Sequence, residues 1–70
     1  MTNREYIISK LNAGKTIWRY TKSLAISYTK SNNGVWRVSH HDCGSCTDKT
    51  ISMQTAIDQL LRNFGQIYKI

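Results

Sequence analysis

The chain has 70 residues, and its 10 Lys and Arg against 4 Asp and Glu give a net charge of +6. Such a short chain leaves room for one domain, residues 1–70, and buries only about 60% of its unfolded surface. No apolar run approaches the roughly 20 residues of a membrane span, and the N-terminal residues lack the apolar segment of a signal peptide. Cys43 and Cys46 allow at most one disulfide, so we expect a protein of the reducing cytoplasm, the host's if the gene is viral.

The N-terminal segment has the pattern of a short amphipathic helix. Thr2 and Glu5 stand at the spacing of a capping box, in which each side chain accepts a hydrogen bond from a free backbone amide of the other residue. The apolar residues after this box share one helix face: Ile7, Ile8 and Leu11. Gly14 ends the pattern, because glycine readily takes the left-handed conformation after a helix. The sequence therefore predicts a first helix at residues 3–13.

Three segments rich in β-branched and aromatic residues follow, and they predict strands at residues 16–21, 24–30 and 35–41. A second amphipathic helix is predicted between a candidate N-cap at Ser52 and a candidate C-terminal glycine at Gly65. Its apolar stripe consists of Met53, Ala56, Ile57, Leu60, Leu61 and Phe64. We therefore expect an α+β fold in which both helices lie on one face of a three-stranded antiparallel meander.

The parity of the strand residues sets the predicted hairpin register. Seven large apolar or aromatic strand residues share even-numbered positions: Trp18, Tyr20, Leu24, Ile26, Tyr28, Trp36 and Val38. Keeping them on one sheet face requires three-residue hairpin loops at residues 21–23 and 32–34, the second with Gly34 at positive φ. This register places Trp18 and Trp36 beneath the helices. We interpret them as core residues rather than as a surface for stacking nucleobases.

The same register gathers polar side chains on the sheet face that points away from the helices. Two rows of basic residues there flank a row of small hydroxyls. Together they predict a ligand-binding surface of Lys15, Arg19, Ser27, Arg37, Ser39 and His41. Arginine offers forked donors that match phosphate oxygens, and serine hydroxyls supply further hydrogen bonds. The alternative is an ordinary solvent-facing surface, which is polar in most antiparallel sheets.

Residues 40–46 hold the densest cluster of reactive side chains, with His40, His41, Cys43 and Cys46. A C-x2-C pair with a nearby histidine is half of a zinc site, but the sequence contains no second pair of this kind. Neighbouring strand histidines also point to opposite faces, so they do not readily bind one ion. We therefore expect neither a metal nor another cofactor, and we interpret the segment as an ordinary loop whose thiols have no role.

Charge and surface together favour a non-enzymatic binding module. The predicted partner bears phosphate: a nucleic acid, a nucleotide or a nucleic-acid-handling complex. A second hypothesis is a small accessory or inhibitor protein that docks on an acidic protein surface and forms a homodimer through an edge strand or residues 66–70. A third is a metal-free ribonuclease, with His40 or His41 as the base and Arg19 or Arg37 holding the phosphate.

Overall fold

The computed structural model describes residues 2–22, 24–41, 44 and 46–67. Within them the chain forms two α-helices and an antiparallel sheet of four strands in the order β1-β2-β3-β4. The elements are α1 (Asn3–Asn12), β1 (Ile17–Tyr20), β2 (Leu24–Ser31), β3 (Gly34–His41), β4 (Cys46–Ile51), α2 (Met53–Arg62) and a 3-10 helix (Phe64–Gln66). The α+β prediction is confirmed, but the sheet has a fourth strand, Cys46–Ile51, in a segment where the sequence analysis predicted no strand.

Helix α1 begins with the predicted capping box. The Thr2 hydroxyl accepts a hydrogen bond from the Glu5 amide at 3.1 Å, and the Glu5 carboxylate accepts one from the Thr2 amide at 3.4 Å. The helix ends at Asn12, one residue earlier than predicted, and Gly14 follows with φ +77°. Among the described residues, no helix is long and apolar enough to cross a membrane.

Helix α2 begins as predicted and ends differently. The Ser52 hydroxyl caps its first turn by accepting a hydrogen bond from the Thr55 amide at 3.1 Å. At the other end, the Gln59 carbonyl accepts hydrogen bonds from both the Asn63 backbone amide at 3.3 Å and the Asn63 side-chain amide at 2.9 Å. Gly65 lies within the following 3-10 helix and is not the C-terminal glycine of α2, so that assignment was wrong.

The hairpin register differs from the prediction. Ser31 pairs with Gly34, so the loop between β2 and β3 contains two residues rather than three. The register between β1 and β2 is shifted by one residue as well. Because side chains alternate along a strand, the shift turns Trp18, Trp36 and Val38 away from the helices. The predicted core position of the two tryptophans is therefore wrong.

The composition of the core explains this register. Its buried residues are Ile7, Leu11, Ile17, Ile26, Tyr28, Val35, Ala56, Ile57, Leu60 and Ile67. Each helix is only 10 residues long, so the two helices cover a limited area of the sheet. Ile17 and Val35, which are 4% and 0% exposed, fill the space that the predicted register gave to the indoles. Branched aliphatic side chains of this size pack densely beneath short helices, whereas two indoles need a larger cover.

Gly34 connects the hairpin to the fourth strand. Its φ of +134° confirms the predicted positive φ, although the loop is shorter than expected. Within the described residues only glycines have positive φ, so Asn32 and Asn33 do not supply this conformation. A Cβ at Gly34 would also overlap the carbonyl oxygen of Ile51. Glycine at this position therefore lets β4 approach the start of β3.

The two sheet edges are formed by β1 and β4. Ile67 makes an antiparallel bridge with Arg19 of β1, so the chain after α2 returns to the edge of its own sheet. The predicted pairing of residues 66–70 with a sheet edge thus occurs at Ile67, and the edge belongs to the same chain. Residues 68–70 lie outside the described part, and the homodimer stays a prediction.

Candidate anion-binding site

Strand alternation divides the sheet into two faces. We call the face that packs against α1 and α2 the helix-side face, and the other the open face. The polar and charged strand residues of the helix-side face are Arg19, Lys30, Arg37, Ser39, His41, Thr47 and Lys49. The open face carries Trp18, Tyr20, Ala25, Ser27, Thr29, Ser31, Gly34, Trp36, Val38, His40, Cys46, Asp48 and Thr50.

The predicted ligand-binding surface does not exist as one patch. Arg19, Arg37, Ser39 and His41 share a face, but it is the helix-side face and not the one pointing away from the helices. Ser27 lies on the open face, where it is 7% exposed. Lys15 precedes β1 and belongs to no strand. The predicted cross-strand rows are wrong for the same reason as the tryptophan positions, namely the one-residue shift in register.

Residues of β3 and β4 nevertheless form a polar site. A cavity of about 210 Å³ is lined by Arg37, Thr47 and Lys49 of the helix-side face and by Asp48. Ser39 pairs with Thr47 in the next cross-strand row, and it is 7% exposed. The structure thus brings one predicted residue, Arg37, to a cavity whose other lining residues come from β4.

Arg37 is held by a hydrogen-bond chain that starts on α2. The Tyr28 hydroxyl donates to Gln59 Oε1 at 2.9 Å and accepts a hydrogen bond from Arg37 Nε at 3.3 Å. The guanidinium carbon also lies 6.0 Å from the centroid of the Tyr28 ring. Tyr28 is fully buried, so it is a fixed support for the arginine. In the part of the chain that the structure describes, the terminal Nη groups of Arg37 have no hydrogen-bond partner.

Arg37 and Lys49 are direct cross-strand partners on this face. Like charges placed opposite each other destabilise a sheet unless a counter-charge compensates them. Among the described residues, no carboxylate is paired with either cation. The carboxylate of Asp48 accepts a hydrogen bond from Trp36 Nε1 at 2.9 Å, on the open face. Two cations that no carboxylate of the described residues pairs with, beside the Thr47 hydroxyl, form a site suited to an anion.

The remaining predicted residues lie at the margins of this site or away from it. His41 Nε2 lies 3.4 Å from Thr47 Oγ1, which places the imidazole beside the site on the same face. Arg19 is on edge strand β1, and its Nε donates to Gln66 Oε1 at 2.8 Å. Lys49 and Thr47 were missed because no strand was predicted between residue 41 and Ser52. The β-branched residues of that segment, Thr47, Thr50 and Ile51, were the available signal.

The open face is aromatic. The rings of Trp18 and Tyr20 stack with centroids 6.3 Å apart and an interplanar angle of 17°. The Trp18 ring lies 5.5 Å from that of His40. Tyr20 and Trp36 are 49% and 46% exposed. A sheet face of this kind is unusual for a solvent surface, because large exposed apolar side chains commonly mark an interaction site.

The histidine–cysteine segment is divided between the faces. His40 and His41 point to opposite sides of β3, as predicted. Cys46 begins β4 instead of lying in a loop, and its exposed free thiol is 3.3 Å from His40 Nδ1. Asp42, Cys43 and Ser45 lie outside the described residues. Among those that are described, no group of three or more His, Cys, Asp and Glu side chains is placed to hold a metal ion.

We compared the chain with models of protein families, with curated proteins and with solved structures, and none of them matches it.

Proposed function

We propose that this protein is a non-enzymatic binding module that engages a phosphate-bearing partner at Arg37 and Lys49. The observation that carries the proposal is the direct pairing of these two cations, neither of which forms an ion pair with a described carboxylate. Arginine presents a planar fork of donors and lysine a mobile point charge, and both bind phosphate oxygens strongly. The hydrogen bond from Arg37 Nε to Tyr28 leaves the fork itself available to the partner.

The whole molecule supports the same partner class. Its net charge of +6 attracts polyanions over longer distances than the site itself reaches. The cavity includes three consecutive residues of edge strand β4: Thr47, Asp48 and Lys49. Because an edge strand borders solvent, either a mononucleotide or a segment of nucleic acid has access to this cavity. A complex that handles nucleic acid presents the same phosphate groups.

Equilibrium binding to a fluorescently labelled oligonucleotide tests the proposal, with inorganic pyrophosphate as competitor. We expect Arg37→Gln and Lys49→Gln each to weaken binding about tenfold or more, because each removes a charge-assisted contact. Arg4→Gln is the matched control, since Arg4 is an exposed residue of α1 and loses the same charge. Equal losses in all three variants would mean that binding depends on diffuse charge alone and would exclude a specific site.

A small accessory or inhibitor protein is the second candidate, and the exposed rings of Trp36 and Tyr20 favour it. Aromatic residues of this kind are enriched in the centres of protein interfaces. Such a protein would bind clustered carboxylates with the same two cations. An acidic peptide that displaces the oligonucleotide better than pyrophosphate does would favour this candidate.

A further inference from the structure

The open face carries both tryptophans of the chain, and we infer that it stacks the unpaired bases of a single-stranded nucleic acid. This inference rests on the proposed function and specifies its partner, since it adds recognition of bases to recognition of phosphate. Aromatic side chains on an open sheet are a general means of binding single strands, because every base offers a flat apolar surface.

The rings stand on either side of a strand with small side chains. Trp18 lies on β1 opposite Ser27, and Trp36 lies on β3 opposite Thr29. The open-face residues of the central strand β2 are small: Ala25, Ser27, Thr29 and Ser31. The Trp18 ring reaches across β2, so that its centroid lies 5.5 Å from that of the His40 ring on β3, and Ser27 beneath is only 7% exposed. Trp36, which is 46% exposed, therefore offers the accessible indole on which a base can stack.

The rings are also held in place before any ligand binds. The indole of Trp36 is fixed by its hydrogen bond to Asp48, and that of Trp18 is packed between Tyr20 and His40. Side chains that are already ordered lose little conformational freedom on binding. Among the described strand residues of this face, Asp48 alone belongs to the charged types Asp, Glu, Lys and Arg. The face itself therefore attracts a ligand by stacking rather than by positive charge.

Charge selects a nucleic acid over a second copy of the protein. Two exposed lysines, Lys15 and Lys22, lie beside β1, where the backbone phosphates of a strand crossing the open face would pass. Arg19 and Lys49 point to the helix-side face and take no part in this surface. Two copies that met through their open faces would instead bring two molecules of charge +6 together. That repulsion disfavours self-association.

Tryptophan emission reports directly on the proposed surface, because Trp18 and Trp36 are the chain's 2 tryptophans. The protein is titrated with oligothymidylate of about ten nucleotides, within the range that single-strand-binding domains cover. Inorganic polyphosphate of equal charge is the probe without bases. We expect oligothymidylate to quench the emission and to bind at least about tenfold more tightly than polyphosphate, the gain from one stacked base.

Variants distinguish stacking from charge. Trp36→Ala should lose most of the preference for oligothymidylate and leave polyphosphate binding unchanged, and Trp36→Phe should retain part of the preference. Circular dichroism of both variants verifies the fold.

Equal affinity of the protein for the two probes, without quenching, would overturn stacking and leave the phosphate site intact. Binding of neither probe would overturn the proposed function as well. A concentration-dependent dimer whose formation is abolished by Trp36→Ala would assign the face to a second copy.

Discussion

Arg37 of β3 lies directly opposite Lys49 of β4, and the two cations share the edge of one cavity. A sheet ordinarily places opposite charges, or no charges, at such a pair of positions. The pairing therefore costs stability in the free protein, and an anion bound between the side chains would remove that cost.

Lys49→Gln should separate stability from binding. It relieves the repulsion with Arg37, so we expect the free protein to gain a few tenths of a kcal/mol at low salt. The same change should weaken oligonucleotide binding by about 1.5–3 kcal/mol, the value of a charge-assisted hydrogen bond. Thermal unfolding and anisotropy titrations measure the two effects. A variant that loses stability and keeps its affinity would show that Lys49 has a structural role only.

Tyr28→Phe removes the hydroxyl that joins Gln59 to Arg37. We expect a loss of about 1–3 kcal/mol in the free energy of unfolding, because the hydroxyl makes two hydrogen bonds, each worth about 0.5–1.5 kcal/mol. Anion binding should also weaken, because the guanidinium loses its support. In the Arg37→Gln background, however, Tyr28→Phe should not change binding further. An additive effect in this double-mutant cycle would contradict the idea that Tyr28 acts through Arg37.

Gly34→Ala and Gly14→Ala form a matched pair of glycine substitutions. Both glycines have positive φ, which costs another residue about 1–2 kcal/mol. A Cβ at Gly14 meets no atom within 4 Å, whereas one at Gly34 overlaps the Ile51 carbonyl. We therefore expect Gly34→Ala to be the more destabilising variant in urea denaturation. Equal losses would mean that β4 does not approach Gly34 as closely as observed.

Ile17→Ala and Trp36→Ala test which sheet face is buried. Ile17 is 4% exposed and belongs to the core, so its truncation should cost about 2–5 kcal/mol. Trp36 is 46% exposed, and its truncation should cost less despite the larger side chain. Chemical denaturation of the two variants gives the ranking. The reverse order would support the register in which the tryptophans lie beneath the helices.

Local signals in the sequence predicted the helices well. The capping box of Thr2 and Glu5, and the N-cap at Ser52, depend on residues within one turn of each other. The Asn63 side chain that caps the end of α2 was not foreseen, because a glycine two residues later offered the more common signal.

The sheet register was not predictable from the same kind of signal. Parity placed Trp18, Trp36 and Tyr28 on one face, but burial depends on how much area the helices cover and not on side-chain size alone. With 10 residues each, the helices cover Ile17 and Val35 instead. A shift of one residue then moved the predicted surface positions of β1 and β3, namely Arg19, Arg37, Ser39 and His41, to the other face.

The candidate site was predictable in part. Arg37 was identified as a phosphate ligand, but its partner Lys49 lies in a strand whose described residues are mostly exposed. An edge strand of this kind lacks the apolar alternation by which strands are recognised in a sequence. The pairing of Arg37 with Lys49 follows only from the register of β3 and β4.

A proton–nitrogen NMR titration with inorganic pyrophosphate tests the central claim most directly. We predict saturable shifts in the backbone amides of Arg37, Thr47 and Lys49, together with the Nε–H signal of Arg37. The Arg37→Gln variant should lose these shifts, and Arg4→Gln should keep them. Shifts of equal size at the lysines and arginines of the helices and turns would contradict an anion site between β3 and β4. Shifts that persist in the Arg37→Gln variant would contradict it as well.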